Sequence, residues 1–351
     1  MSEKIDIYSL MPDELEEYFV SIGEPKFRAK QTFARLHKGG GIDSLTTLPK
    51  ALRERLKDEI LDTLPTVEEK LVSKIDGTVK YLFRLHDGSV IESVFMKYQH
   101  GNTLCISSQV GCYMGCKFCA STIGGKLRDL YPSELLGQII AAEADSGERI
   151  SNIVMMGIGE PLDNFGNVIK FLRLVNHPDG LNIGYRHISL STCGVVPGIY
   201  KLAEVDIPIT LSISLHASND EKRTAIMPVN KKWRIADLLR ATVDYYKVTG
   251  RRISFEYTLI SGQNDSTDDA DELANLLNGA FRNTGAPIHV NLIRVNEVKE
   301  TGFKRGSVDS VNAFKSRLER HGITATVRRR LGSDVNAACG QLRRSRMEKE
   351  Q

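Results

Sequence analysis

The sequence predicts an α/β fold: a partial, open (β/α) barrel of six strands, preceded by a small helical module and a short β-hairpin region. Three observations lead there. From residue 104 onward, short apolar runs alternate with stretches of helical length, the pattern of parallel βαβ units. There are six such units, too few to close an eight-stranded barrel. Ahead of them, residues 66–98 carry alternating apolar residues divided by Asp76-Gly77 and Asp87-Gly88, both strong hairpin signals.

Taken in order, residues 1–65 read as a helical module. Pro12 followed by Asp13 and Glu14 suits a helix start with acids in the first turn. Phe27, Ala29, Ala34 and Leu36 recur near helical spacing, and Leu48-Pro49-Lys50 opens a third amphipathic turn. In residues 66–98, Val67, Leu71, Tyr81, Phe83, Val90 and Val94 mark the strands of a small antiparallel sheet. The core follows over 99–335, with strands expected at 104–108, 152–156, 187–191, 209–215, 253–259 and 290–295. Helices are expected at 132–147, 164–176, 197–204, 234–249, 267–282 and 307–321. Residues 336–351 form a C-terminal segment with a basic tail. In barrels of this kind, chemistry gathers at the C-terminal ends of the strands.

The 351 residues, 41% hydrophobic and 26% charged, describe a chain with a real core and argue against disorder. No apolar run approaches the ~18 residues of a membrane span, and the acidic N-terminus shows no signal peptide, so a soluble cytoplasmic protein is expected. A net charge of +3 does not by itself indicate a nucleic-acid partner. Its distribution is more telling: Arg328-Arg329-Arg330 and Arg343-Arg344-Ser345-Arg346 bracket a short segment, and arginine clusters suit phosphates. The same arginines would serve equally as solvated surface.

The chemistry centres on Cys112-Tyr-Met-Gly-Cys116-Lys-Phe-Cys119. Gly111 and Gly115 let the backbone curl so that three sulfurs converge. A four-iron cluster needs four ligand positions, and three nearby cysteines leave one iron open. A closed zinc site takes four protein ligands, and no second Cys/His pair follows at finger spacing. The triplet resembles the signature of the radical S-adenosylmethionine (SAM) superfamily, in which the amino and carboxylate groups of SAM chelate the open iron. The expected cofactors are therefore a [4Fe-4S] cluster and SAM, in a partial barrel of radical SAM type. After the second strand, Gly157-Ile-Gly159-Glu160-Pro161 lacks the third glycine and the distant acid of the dinucleotide fingerprint. It resembles the segment that holds the SAM amino group. Ser191, Ser214, His216 and Asn296 stand at strand ends, where they suit a nucleoside cofactor or serve as ordinary strand ends.

Two more cysteines stand apart: Cys105 on the first strand and Cys339 in Ala337-Ala-Cys339-Gly-Gln-Leu342, while Cys193 reads as core or pocket lining. Together with the triplet, the segments Cys105-Ile-Ser-Ser-Gln-Val-Gly-Cys112, Met156-Gly-Ile-Gly-Glu-Pro161, Ser214-Leu-His-Ala217, Met227-Pro-Val-Asn230 and His289-Val-Asn-Leu-Ile293 occur in order. Nearly end to end, the chain resembles the dual-specificity RNA methyltransferase family, which methylates adenine C2 in 23S ribosomal RNA and transfer RNA. The target adenines lie at the peptidyl-transferase centre and beside the anticodon.

Adenine C2 is an electron-poor aromatic carbon with no lone pair to attack a sulfonium methyl, so a radical cofactor must carry the transfer. The resemblance implies that a first SAM methylates Cys339 and that a second is cleaved to a deoxyadenosyl radical. This radical takes a hydrogen from the Cys339 methyl, and the resulting methylene adds to C2. Cys105 is implied as the thiol that resolves the protein–RNA thioether by forming a disulfide with Cys339, and Glu92 as the acceptor of the C2 proton. Cys112, Cys116 and Cys119 are implied as cluster ligands, and Gly159, Glu160, Ser191, Ser214, Leu215, His216 and Asn296 as SAM contacts. Also implied are folded RNA partners, a low-potential electron donor such as flavodoxin, and a monomer. Two alternatives stand beside this reading. One is methylation at C8, the antibiotic-resistance branch, whose members share Arg294 where many C2 enzymes have proline, although Pro161 leans toward C2. The other is a non-catalytic iron–sulfur RNA-binding protein, which leaves Cys105 and Cys339 without a purpose.

Overall fold

Pro12 fits the first turn of a helix, where its missing N–H costs nothing, and the Met11 N–H donates to Glu14 at 2.7 Å to complete the start. This begins α1 (Pro12–Ser21), followed by α2 (Phe27–Leu36) and α3 (Lys50–Glu59). The computed structural model describes residues 4–296 and 302–335. Leu15, Phe19, Phe33, Leu36, Leu52 and Leu56 bury one face of each helix in a core of their own, to which the barrel contributes Leu174. Polar contacts join this module to the barrel. Ser133 donates to Asp6 at 2.6 Å, and Lys170 pairs with Glu14 at 2.7 Å.

The hairpins form where expected. Strands β1 (Thr66–Val72), β2 (Val79–Arg84) and β3 (Val90–Tyr98) pair antiparallel, with Gly77 (φ +72°) and Gly88 (φ +83°) in the turns. They do not form a separate sheet. β3 pairs antiparallel with β4 (Gly101–Cys105), and the ladder continues in parallel through β7 (Ile150–Met155), β8 (Ile188–Thr192), β9 (Thr210–Ser214), β10 (Ile253–Leu259) and β11 (His289–Arg294). The short hairpin β5 (Gln109–Gly111) and β6 (Lys126–Asp129) lies outside this ladder.

The open barrel expected with six strands is present and has a seventh. β12 (Thr324–Val327) pairs in parallel with β11, giving one ten-stranded sheet in the order β1-β2-β3-β4-β7-β8-β9-β10-β11-β12. Four residues long and running straight into Arg328, β12 carries too little apolar pattern to be read from sequence. The helices α4 (Pro132–Ser146), α5 (Phe165–Asn176), α6 (Val196–Glu204), α8 (Ile235–Thr249), α9 (Thr267–Ala280) and α10 (Val308–Arg320) alternate with the strands, and a further helix, α7 (Asp220–Ile226), follows β9. Among the described residues, no helix is long and apolar enough to cross a membrane. After β12 the chain returns to the first hairpin: Ser73 donates to Asp334 at 2.6 Å, and the Gly332 N–H donates to Asp76 at 2.9 Å.

One buried group makes the helical module sensitive to acid. His37 is 2% exposed and packs against Phe33, the rings tilted by 35° with centroids 4.0 Å apart. Burial, followed by repulsion from His177, lowers its pKa from 6.5 to about 4. The unfolded chain therefore takes up a proton near pH 6.5 that the folded chain refuses until about pH 4. Stability is full above that window and declines as pH falls through it, by roughly 3 kcal/mol for this group. Urea melts of wild type and His37→Leu at pH 7 and pH 4.5 are expected to show a smaller loss in the variant. Equal losses would remove His37 from the account.

Candidate active site

A cavity of about 600 Å³ opens at the C-terminal ends of the parallel strands, where α/β barrels place their chemistry. Cys105, Cys112, Cys116, Cys119, Gly159, Glu160, Ser191, Ser214, His216 and Asn296 all line it. Leu215 does not. It packs in the main core, its N–H donating to the Glu256 carbonyl and its own carbonyl accepting from Arg223. Glu92 lies beyond the lining as well, 3% exposed, with a carboxylate oxygen 3.3 Å from the ammonium of the fully buried Lys80. It shares a face of β3 with Val94, Met96 and Tyr98, which do line the cavity. Cys339 lies outside the described residues.

The three triplet cysteines sit in the loop between β5 and β6. Gly111 enters it at φ +81°, in contact with the opposite limb: a Cβ there would stand 1.9 Å from the Gly125 carbonyl oxygen. That carbonyl also accepts from the Cys112 N–H at 3.1 Å. Burial pushes the Cys112 thiol up to about 12 and raises Cys116 further, each reinforced by its neighbouring cysteines. Two buried thiols that resist ionisation, beside the partly buried Cys119, are matched to a cationic metal centre, which would deprotonate its ligands on binding. Among the described residues, no three His, Cys, Asp or Glu groups gather tightly enough for a single ion. A cluster, in which each cysteine binds a different iron, makes no such demand. The donor set fits a four-iron cluster, which Cys112, Cys116 and Cys119 would hold in the cavity they share with the polar strand ends.

Those strand ends are built precisely around backbone contacts. The Glu160 carboxylate accepts the N–H groups of Cys193 at 2.7 Å and Leu162 at 3.0 Å, and burial raises its pKa. Gly159, at φ +108°, lies so close to Gln109 that a Cβ would meet its backbone nitrogen at 2.7 Å. The Gln109 side chain in turn accepts the Glu160 N–H at 2.9 Å. Part of what the glycine permits is thus an approach to the chain's own backbone. Ser191 and Ser214, on adjacent strands, bring their hydroxyls within 3.4 Å of each other. His216 adopts a left-handed backbone (φ +58°), held by Asn264, whose amide donates to its carbonyl at 2.7 Å. Its Nδ1 accepts the Thr258 N–H at 2.9 Å, which puts the ring proton on Nε2. Burial and then Arg223 hold this histidine neutral, with a pKa lowered to about 3. Its ring meets Phe118 of the cysteine loop edge-on at 4.9 Å.

Cys193, read as core or pocket lining, lines the cavity and donates its backbone N–H to Glu160. Several other residues were not found from sequence. Glu256 is a single charged residue on an otherwise uncharged strand with no motif to mark it, and Gln109 lies inside the Cys105–Cys112 motif without being singled out. Arg223 falls in Asp220-Glu-Lys-Arg223, which reads as a solvated charge run, yet it is fully buried. Only its spacing ahead of Met227-Pro-Val-Asn230 offered a signal.

The comparisons with known proteins agree with this geometry. Residues 106–277 match the radical SAM superfamily, and residues 5–61 match the ribosomal RNA large subunit methyltransferase N-terminal domain. The probable dual-specificity RNA methyltransferase RlmN of Alkaliphilus oremlandii is 52% identical over 347 residues, 99% of both chains. Its counterpart in Clostridium novyi is 48% identical over 342 residues, 97% of this chain and 98% of its own. The crystal structure of a radical SAM methyltransferase from Sphaerobacter thermophilus superposes with a TM-score of 0.90 at 41% identity, covering 96% of this chain and 98% of that one. Full-length likeness, the N-terminal module and the cysteine-lined cavity converge on one assignment: the chain belongs to the dual-specificity RNA methyltransferase family of radical SAM enzymes.

Proposed function

We propose that the enzyme methylates C2 of adenine in 23S ribosomal RNA and transfer RNA, with Cys339 as the methyl carrier. The observation that carries this reading is the lining of a single cavity by Cys105 and the three cluster cysteines. A cluster with bound SAM supplies radical chemistry, which the unreactive C2 position requires. Cys105 is then the resolving thiol and Glu92 the proton acceptor, its carboxylate 3.3 Å from the ammonium of Lys80. Gly159, Glu160, Ser191, Ser214, His216 and Asn296 hold SAM, with Leu215 acting through its backbone. An adenine must be unstacked from its RNA to enter such a cavity.

Nucleoside analysis of RNA treated with enzyme, SAM and reductant tests the regiochemistry. The expected product co-elutes with 2-methyladenosine; 8-methyladenosine would overturn the C2 reading. Mass spectrometry of the Cys339 peptide tests the carrier: a methyl group gained with SAM and lost on adding RNA and reductant is expected.

Arg328, Arg329 and Arg330 line the same cavity, where they suit the phosphates flanking the target base. Converting Arg329 and Arg330 to alanine is expected to weaken RNA binding roughly tenfold. The slope of log affinity against log salt should fall by about two. An unchanged slope would place both arginines away from the phosphates.

A further inference from the structure

Arg223 is fully buried, and each of its hydrogen-bond acceptors is uncharged. Its Nε donates to the Leu215 carbonyl at 3.1 Å and its Nη1 to the amide oxygen of Asn230 at 2.9 Å. Its Nη2 donates to the carbonyls of Cys193 at 2.7 Å and Ser214 at 3.1 Å. Asp220, the acid that acts on it through space, already accepts from Asn230 at 2.9 Å and from the Ile235 N–H at 3.0 Å. A buried cation normally has an ionised partner, because desolvation without one is costly. Here carbonyl dipoles solvate the guanidinium and leave its net charge in place. That charge lies beside the site: the guanidinium holds the carbonyls of Cys193 and Ser214, which line the cavity with Cys116, and Cys116 packs in one buried cluster with Cys193, Ile226 and Met227. The cysteine loop packs over this region, with the Lys117 N–H donating to the Ile226 carbonyl of the helix that carries Arg223.

We propose that Arg223 is the buried counter-charge of the anionic group held by Cys112, Cys116 and Cys119, and that it sets how readily that group accepts an electron. Three thiolates on an iron–sulfur core leave a net negative charge, which one-electron reduction by an external donor increases. A fixed cation nearby stabilises the reduced form and raises the potential. The same side chain ties the ends of β8 and β9 together, so it also positions the strand ends bearing Ser191, Ser214 and His216. The inference does not depend on which adenine carbon is methylated.

The test is a redox titration of reconstituted holoenzyme followed by electron paramagnetic resonance, with melting temperatures measured alongside. Arg223→Gln removes the charge and Arg223→Lys keeps it while losing the fork. In Arg223→Gln, the ratio of reduced to oxidised cluster at a fixed solution potential is expected to fall about tenfold, a shift of about 59 mV for one electron. Arg223→Lys is expected to stay near wild type in potential although it melts lower. A wild-type potential in Arg223→Gln, or one as low in Arg223→Lys as in Arg223→Gln, would reduce Arg223 to a structural tie. Should Arg223→Gln take up no cluster, the lysine variant decides: a retained potential supports the counter-charge, and a lowered one overturns it.

Discussion

Cys105→Ala is expected to leave the enzyme covalently joined to its RNA. Under the proposed mechanism the Cys339 sulfur becomes bonded to adenine C2 through a methylene carbon. Release needs a second sulfur to attack that of Cys339. The sulfur–carbon bond breaks, its electron pair stays with carbon, a proton completes the methyl group, and the two cysteines end as a disulfide. Cys105 ends β4, 5% exposed and packed with Val94, Met96 and Leu331. Alanine removes one sulfur atom from this wall, at a cost of about 1 kcal/mol, so the fold should persist. Methylation of Cys339 should continue while turnover drops on the order of a thousandfold or more. Labelled RNA should run as a protease-sensitive, slow band on a denaturing gel. Free methylated RNA at the wild-type rate would remove Cys105 from the mechanism.

Gly111→Ala is expected to empty the metal site without unfolding the barrel. Left-handed backbone alone costs alanine about 1–2 kcal/mol. The larger effect is steric: with Gly125 oxygen 1.9 Å from the new methyl, the two limbs of the cysteine loop must part. The Cys112 hydrogen bond across them is then lost and the sulfurs are displaced. After reconstitution, iron content should fall at least about fivefold, since ligand geometry dictates cluster retention. Gly124→Ala is the control, with a similar φ of +87° and nothing within 4 Å of the added carbon. Equal iron loading in the two variants would show that backbone strain, not overlap, governs the loop.

How much was legible in the sequence depended on whether the signal was local. The strand expected at 253–259 is found as Ile253–Leu259, and the helix expected at 132–147 ends one residue earlier, at Ser146. Periodicity and caps are properties of adjacent residues, so these were readable. Helix α7 was missed because Asp220-Glu-Lys-Arg223 carries no apolar stripe of useful length. In the site, the cysteine triplet declared itself because metal ligation imposes a short-range spacing. The polar strand ends followed from topology. Gln109 acquires its role from Glu160, 51 residues on, and Arg223 joins nearby acceptors to Cys193, 30 residues before it, which no local pattern encodes. The Leu215 side chain turns into the core, between two residues that line the cavity.

The ten strands of the main sheet lie side by side in the order in which they occur in the chain. As the polypeptide leaves the ribosome, each new strand finds its neighbour already made, and no gap has to be held open for a later segment. Parallel sheets usually fold slowly because their pairings close long loops. Sequential addition keeps each closure to the one segment that joins neighbouring strands, and leaves one growing edge exposed at a time. Cys339 is synthesised after β12, the last strand among the described residues, so the cavity walls precede the thiol proposed to work against them.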